Sequence, residues 1–505
     1  DVLAGQEIKF TNRKSASNTG YGYQYGQGGL PYVDPNIIKQ AIENNFAYYG
    51  MGEVYDRFAA FYATAGYSFD KKYNVSFYGR YDGSNRFGLA AANRWLPTWS
   101  VSGAWNIDKE KFTENLNWLD FAKLRASYGI NGDMGPATNA DVLYRNYITN
   151  RPFQDEKESG VNISSLANTQ LSWEKMKSSN IGLEFGILRG KFSFTLDYWD
   201  RKSTDLIDQV RTSGIGGQYY KYANNASLSS RGYDIAVDAN VFRNKDWSIN
   251  LKATLGKATT KITSLDNNPN IFSLIQSEGG NLVGRPVRSL FSIQYQGLNP
   301  ESGIPTFLDE TGKVNYDVYF QDENISHLKY EGPVDPPYNG SFSAVVRYKN
   351  ITLNALFTGQ GGNKIRLAPA FAASYSDWAA LPKDFNDRWM LGGNEVDTYI
   401  PQILDNLYAN KNIGYAYNVF NYSDVRVAKG DFIRLKSITL NYGLSEAAFV
   451  KRIGFSSLNI SATAINPWLI MSDKKLRGQD PEFFNTGGVA QPLQKQIVMS
   501  LKFGL

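Results

Sequence analysis

Leu171 to Ile207 reads LSWEKMKSSNIGLEFGILRGKFSFTLDYWDRKSTDLI. Its second half alternates: Phe192, Phe194, Leu196 and Tyr198 fall on one face of an extended strand, and Ser193, Thr195, Asp197 and Trp199 on the other. Upstream, Ile181, Leu183, Phe185 and Ile187 are separated by Gly182, Glu184 and Gly186. The tight connection Leu188-Arg189-Gly190-Lys191 joins the two runs as a hairpin. Each run is about ten residues or longer, whereas strands of soluble sandwiches average about five to six. Transmembrane β-barrel strands need about nine to eleven tilted residues, apolar toward lipid and polar toward the lumen. The hairpin therefore predicts a piece of antiparallel barrel wall.

The rest of the chain repeats the unit. Strands are expected near 5–20, 55–69, 73–84, 95–108 and 121–131, then the hairpin, then 229–242, 246–263, 338–349, 350–361, 430–444, 455–470 and 492–505. That makes about fourteen. Short turns such as Arg243-Asn244-Lys245 and Tyr348-Lys349-Asn350 alternate with long loops at about 132–170, 266–337 and 362–429, the periplasmic and extracellular asymmetry of an outer-membrane barrel. With the last strand running down to the periplasm, every short turn falls on that side and every long loop outside. The 266–337 loop contains its own hairpin at 290–309, and 362–429 has helix-like patches around Ala370 and Ile403. In the 430–444 strand the alternation slips between Leu435 and Ile438, which predicts a β-bulge.

Composition agrees. The 505 residues include 33 Tyr, 29 Phe and 10 Trp, no Cys, and no run of about eighteen apolar residues, which excludes a helical membrane protein. The net charge of +5 is near balance and argues for no nucleic-acid partner. The chain opens at Asp1-Val2-Leu3-Ala4-Gly5 without a signal peptide, so it is expected to be a mature piece or part of something longer. Catalytic chemistry finds little support. The one histidine, His327, has no flanking motif for a triad or a metal site and reads as a loop histidine. Asp384 and Asp387 resemble a glycosidase pair only as far as any polar loop does. Asp266-Asn267-Asn268-Pro269-Asn270 lacks calcium-loop spacing and reads as a turn. No cofactor, metal ligand set or catalytic residue is assigned. Tyr375, Trp378 and Trp389 are the candidate substrate-binding residues, able to stack on sugar rings or peptide side chains, or equally to form the loop's own small core.

Several short motifs stand in order from about residue 73. They are Asp82-Gly83-Ser84-Asn85-Arg86-Phe87-Gly88, Lys123-Leu124-Arg125-Ala126-Ser127-Tyr128-Gly129, the Trp173 to Ile207 hairpin, Gly297-Leu298-Asn299-Pro300-Glu301-Ser302-Gly303, Phe432-Ile433-Arg434-Leu435-Lys436 and Gln479-Asp480-Pro481-Glu482, with Arg388-Trp389 and Ile400-Pro401 as a further loop pattern. Together they resemble the C-terminal part of the SusC/RagA family of TonB-dependent outer-membrane transporters. The resemblance implies fourteen C-terminal strands of a 22-stranded type barrel in outer-membrane lipid. It also implies import of an oligosaccharide or oligopeptide, a SusD-like surface lipoprotein as lid, and a TonB complex acting through an N-terminal plug. Plug and coupling box are not found here, and about eight strands are lacking. A fourteen-strand sheet would leave two unpaired edges in hydrocarbon, at several kcal/mol for each orphaned backbone group and so tens in total, more than the net stability of a domain. The missing plug and strands are therefore expected as a separate chain or missing part. The alternative is a passive porin or a barrel-anchored surface adhesin; a secreted carbohydrate-active enzyme is disfavoured by strand length.

Overall fold

The structure, a computed structural model, describes residues 1–505 apart from 20–22, 25–27, 29, 32–34, 45–48, 89, 136–141, 151–156, 213–219, 371–382, 404–413, 445–453, 484–492 and 505. One antiparallel sheet organises it. Its fourteen strands are β1 (Val2–Asn18), β2 (Tyr49–Phe69), β3 (Tyr73–Ser84), β4 (Trp95–Asn106), β5 (Leu119–Asp133), β6 (Glu174–Ile187), β7 (Phe192–Arg211), β8 (Tyr220–Arg243), β9 (Trp247–Leu265), β10 (Tyr338–Tyr348), β11 (Ile351–Gly361), β12 (Phe432–Gly443), β13 (Ser457–Met471) and β14 (Gln496–Gly504). Each pairs with its sequence neighbours, and β1 and β14 form the two edges. The connections 70–72, 188–191, 244–246 and 349–350 gather at one end, here the turn end, and 134–173, 266–337 and 362–431 at the other, the loop end.

The two faces obey different solvents. Outward, Ile181, Tyr198, Leu255, Phe342 and Leu440 are all exposed, as are Ile497, Met499 and Leu501 on β14. Exposed apolar rows of this size fit a wall immersed in lipid. Aromatic rings mark both margins of the band. Tyr81 stacks on Trp95 at 5.0 Å and Trp99 meets Tyr128 at 5.7 Å on the loop side; Trp247 packs on Tyr348 at 4.5 Å and Tyr73 on Trp105 at 6.5 Å on the turn side. Strand β10 begins and ends on such rings, Tyr338 and Tyr348. Ten steps of about 3.4 Å, tilted by about 45°, give a height of about 24 Å, the thickness of an outer-membrane apolar band.

The expected bulge sits at Lys436. On β11, Leu356 faces Ser437 and Phe357 faces Leu435, and on β13 the register skips the same residue. One extra residue restores the alternation, so that Ile433 and Leu435 stay outward like Ile438 and Leu440. The helix-like patches expected around Ala370 and Ile403 run on into 371–382 and 404–413, outside the described residues; among the described residues of this loop a helix lies at Gly414–Asn421. One expectation needs correction. β8 starts at Tyr220, nine residues before expected, because it continues pairing with β7 above the membrane, where lipid no longer imposes alternation. The 132–170 loop carries its own hairpin, Leu143–Asn150 with Lys157–Ser165.

Deleting Lys436 should slip residues 432–435 by one and turn Arg434 to lipid, whereas Lys436→Ala should change stability by less than about 1 kcal/mol. Heat-modifiable migration of the assembled barrel in gels checks this: the deletion should lose the folded band and the substitution keep it.

Candidate functional site

The inner face is built from ion pairs that run across strands. Arg80 on β3 reaches Glu7 on β1 at 2.7 Å and Asp82 at 2.6 Å. Arg125 on β5 bonds Glu184 on β6 at 3.1 Å and Asp197 on β7 at 3.2 Å. That second bond spans an intervening strand, which is possible because residue 182 is glycine; a Cβ there would stand 2.3 Å from the Asp197 carboxylate. On β8 and β9, Asp238 holds Lys252 at 2.9 Å and Asn250 at 2.6 Å. Such half-exposed pairs contribute little stability each. What they produce is a polar surface on which these cations and carboxylates satisfy one another.

Above this wall the two longest loops fold together. Ile271, Ile293 and Phe307 from 266–337 and Ile400, Tyr417 and Phe420 from 362–431 form one buried apolar cluster. Buried arginines fasten it. Arg426, 1% exposed, donates to Asp384 at 2.6 Å, and Arg477 from the β13–β14 connection reaches the other Asp384 oxygen at 2.6 Å and Asp387 at 2.8 Å. Arg366 donates to the carbonyls of Phe291 at 2.6 Å and Ser423 at 3.1 Å and to the Ser292 hydroxyl at 3.0 Å. Burial pulls its pKa down to about 10, so it remains a cation at neutral pH.

The short motifs of the sequence meet one another in space. Arg434 on β12 and Asp480 are joined by bonds of 2.6 and 2.8 Å, both side chains buried, with Glu482 at 3.2 Å from the same guanidinium. Phe87 packs on Trp173 at 4.8 Å, and the Gly88 amide donates to the Leu171 carbonyl. Gly303, at φ +60°, lies under the Trp389 ring so closely that a Cβ would approach it to 2.4 Å, while the Trp389 amide donates to the Ile400 carbonyl at 2.9 Å. The loop motifs are thus contacts by which loops dock on each other and on the wall, while 123–129 and the 173–207 hairpin are part of the wall itself.

Of the candidate binding residues, Tyr375 and Trp378 lie outside the described residues. Trp389 is drawn into the loop core, 6% exposed, its indole N–H donating to Glu395 at 3.1 Å. Asp384 and Asp387 are consumed by arginines. Asn270, closing the 266–270 turn, caps the short helix Ile271–Ile275 by accepting from the Ser273 amide. His327 is a loop histidine, 6% exposed, and among the described residues neither ring nitrogen makes a well-formed hydrogen bond. Burial drives its pKa below the ordinary 6.5 against the opposing pull of Glu310, Asp322 and Asp309. The buried arginines were not singled out from the sequence as a set; Arg434 and Asp480 stood only within motifs.

An antiparallel wall with an apolar outside, two aromatic girdles, a polar inside and long loops at one end is the wall of an outer-membrane β-barrel. Sequence comparison agrees: the family described as TonB dependent receptor-like, beta-barrel matches residues 4–356. The chain belongs to that family, and within it to the SusC/RagA type. TonB-dependent receptor SusC of Bacteroides thetaiotaomicron is 24% identical over 100% of this chain and 48% of its own length. TonB-dependent receptor P3 of Formosa agariphila is 23% identical over 82% of this chain and 41% of its own. The chain therefore spans about half the length of the curated relatives it matches. Among solved structures, the RagAB peptide transporter superposes with a TM-score of 0.77 over 99% of this chain and 53% of that one, at 22% identity.

Two outcomes are expected. Asp480→Asn leaves Arg434 with only Glu482, a loss of about 3 kcal/mol confined to the 472–495 connection. Limited proteolysis should then cut that connection faster while the folded barrel band persists. For His327, the unfolded loop takes up a proton near pH 6.5 that the folded loop resists, so stability is present above that pH and lost as pH falls below it. Replacing His327 with Phe should flatten this part of the pH dependence, read as protease resistance of 266–337 between about pH 7 and 5.

Proposed function

We propose that this chain is the barrel portion of a TonB-dependent outer-membrane importer of oligosaccharides or oligopeptides, working with a SusD-like surface lipoprotein as lid. The observation that carries the reading is the folded platform of the two long loops, locked by buried arginines and tied to the wall through Arg434 and Asp480, above a polar inner face. A pore that only leaks has no need of a rigid, multi-loop surface at its mouth. A platform of this kind gives a lid something fixed to close on and holds ligand-contacting loops in place before ligand arrives.

The inner face favours uncharged or mixed-polarity cargo, since Arg80, Arg125 and Lys252 are each already held by carboxylates of the same face. Tyr375 and Trp378 remain the proposed stacking residues. Plug and remaining strands come from outside these 505 residues, as a separate chain or as the rest of a longer one; they close the edges at β1 and β14, and TonB acts through the plug.

Gentle extraction from outer membranes, followed by mass spectrometry of every polypeptide and small molecule recovered, tests this. A plug-bearing polypeptide, a surface lipoprotein and a bound glycan or peptide are expected. Recovery of a closed barrel made of this chain alone would favour a porin or an adhesin anchor instead.

A further inference from the structure

On the inward face of β7 the indole of Trp199 lies across the neighbouring strand. Gly232, its register partner on β8, leaves no room for a side chain beneath the ring, and Asp234 accepts the indole N–H at 3.1 Å. The ring is thus fixed from below and at its edge. Arg201, two residues further along the same face, lays its guanidinium over this ring, 4.6 Å from the ring centre. Stacking of this kind engages the flat face of a guanidinium and leaves the edges that carry its N–H donors unused. The nearest side chains on a face are those directly and diagonally opposite in the register. For Arg201 these are Ser178 and Ser230, then Met176, Asn180, Leu228 and Gly232. None carries a charge.

Arg201 therefore differs from Arg80, Arg125 and Lys252, which carboxylates of the wall already hold. Below it on the inward face, Asp197 and Asp234 are bonded to Arg125 and to Trp199. Arg201 itself is exposed, and among the described residues no carboxylate pairs with it. It stands nine residues above Phe192, where β7 leaves the turn end, and six below Ile207, on which Leu171 and Trp173 of a docked loop pack. On a strand tilted by about 45° nine residues raise it by about 22 Å, to the upper part of the lumen wall. There it meets solutes passing beneath the loops. With Arg201 over it, the indole face is closed to a sugar ring. What is offered instead is a guanidinium held in place with its donors free. Two parallel N–H groups of such a fork match the two oxygens of a carboxylate, and fixing the group in advance lowers the ordering cost of binding.

We propose that Arg201, held on Trp199, is a binding site of the lumen wall for a carboxylate carried by the cargo, the C-terminal carboxylate of a peptide or that of a uronate sugar. The inference rests on the importer reading above and narrows it: a cargo with a free carboxylate is preferred to a neutral one of the same size. Ser178 and Ser230, uncharged on either side, let the rest of such a cargo lie along the wall without repulsion.

The test is native mass spectrometry of the complete assembled importer titrated with matched ligand pairs. One pair is a mixed-sequence pool of N-acetylated pentapeptides as free acids and as amides; the other is an oligosaccharide ending in one glucuronate and its methyl ester. A bidentate contact to a charged group is expected to favour the free acid of at least one pair by about 10- to 100-fold, and the pair that shows it names the source of the carboxylate. Arg201→Gln should abolish the preference while leaving the affinity for the neutral form unchanged. Arg201→Lys should restore only part of it, since an ammonium lacks the fork. Lys202→Gln, next in sequence but on the outward face, should leave it intact. Equal binding of acid and neutral forms, or a preference that survives Arg201→Gln, overturns this proposal alone; binding of neither form overturns the importer reading with it. If Arg201→Gln instead speeds proteolysis of the plug and shifts both forms equally, the guanidinium serves the plug and the proposal falls. Heat-modifiable migration of every variant confirms that the barrel is folded before binding is read.

Discussion

In hydrocarbon a backbone N–H or C=O has no water to turn to, and this constraint shapes nearly everything in the molecule. It forces every crossing segment into a ladder, which is why fourteen strands pair in plain sequence order with no crossover. It sets strand length, since a segment that pairs for less than the thickness of the apolar band leaves polar groups bare. It also gives the two edge strands their meaning. β1 and β14 are the places where the sheet demands a neighbour, and a wall whose interior strands are all satisfied transfers its whole unpaid cost to those edges.

Once the ladder is closed, side chains on the two faces are under opposite rules. Outward ones need no partner, only an apolar surface or, near the margins, an aromatic ring that tolerates both lipid and water. Inward ones meet water and each other, and the sequence supplies glycines where long side chains must lie across the strands. Gly182 clears the path from Arg125 to Asp197, and Gly232 lies under Trp199, whose indole reaches Asp234 at 3.1 Å. The lumen surface is thereby made of side chains lying flat across several strands, which keeps it polar without narrowing it.

The wall was legible in the sequence because one physical variable, the solvent on each face, writes itself into alternate residues. Even the bulge at Lys436 was visible, as a slip between Leu435 and Ile438. Where that variable stops acting, so did the reading. The first nine residues of β8 rise clear of the membrane and carry no apolar period, and the helix at Gly414–Asn421 is held by loop packing around Tyr417 and Phe420 rather than by its own pattern. The buried arginines were the hardest to see. Arg426 finds Asp384 across 42 residues and Arg434 finds Asp480 across 46, and nothing local distinguishes them from the solvated arginines around them.

The wall and the platform are therefore two kinds of structure in one chain. The wall has scarcely any buried apolar core and is held by its ladder and by lipid; the platform has a water-excluding core like that of a soluble domain, with Ile271, Phe307 and Phe420 each fully buried. A lipid-dependent sheet alone positions its loops only at their ends, and long loops on such a sheet would wander. Burying Arg434 and Asp480 together at the junction changes this, because separating them would leave a charge stranded without water, a cost of about 3–5 kcal/mol. The platform is thereby fixed to the wall at a point where small displacements are expensive, and Gly303, Trp389, Arg434 and Asp480 fall at this junction and at the loop-to-loop docks, the places where geometry, rather than hydrophobicity alone, has to be right.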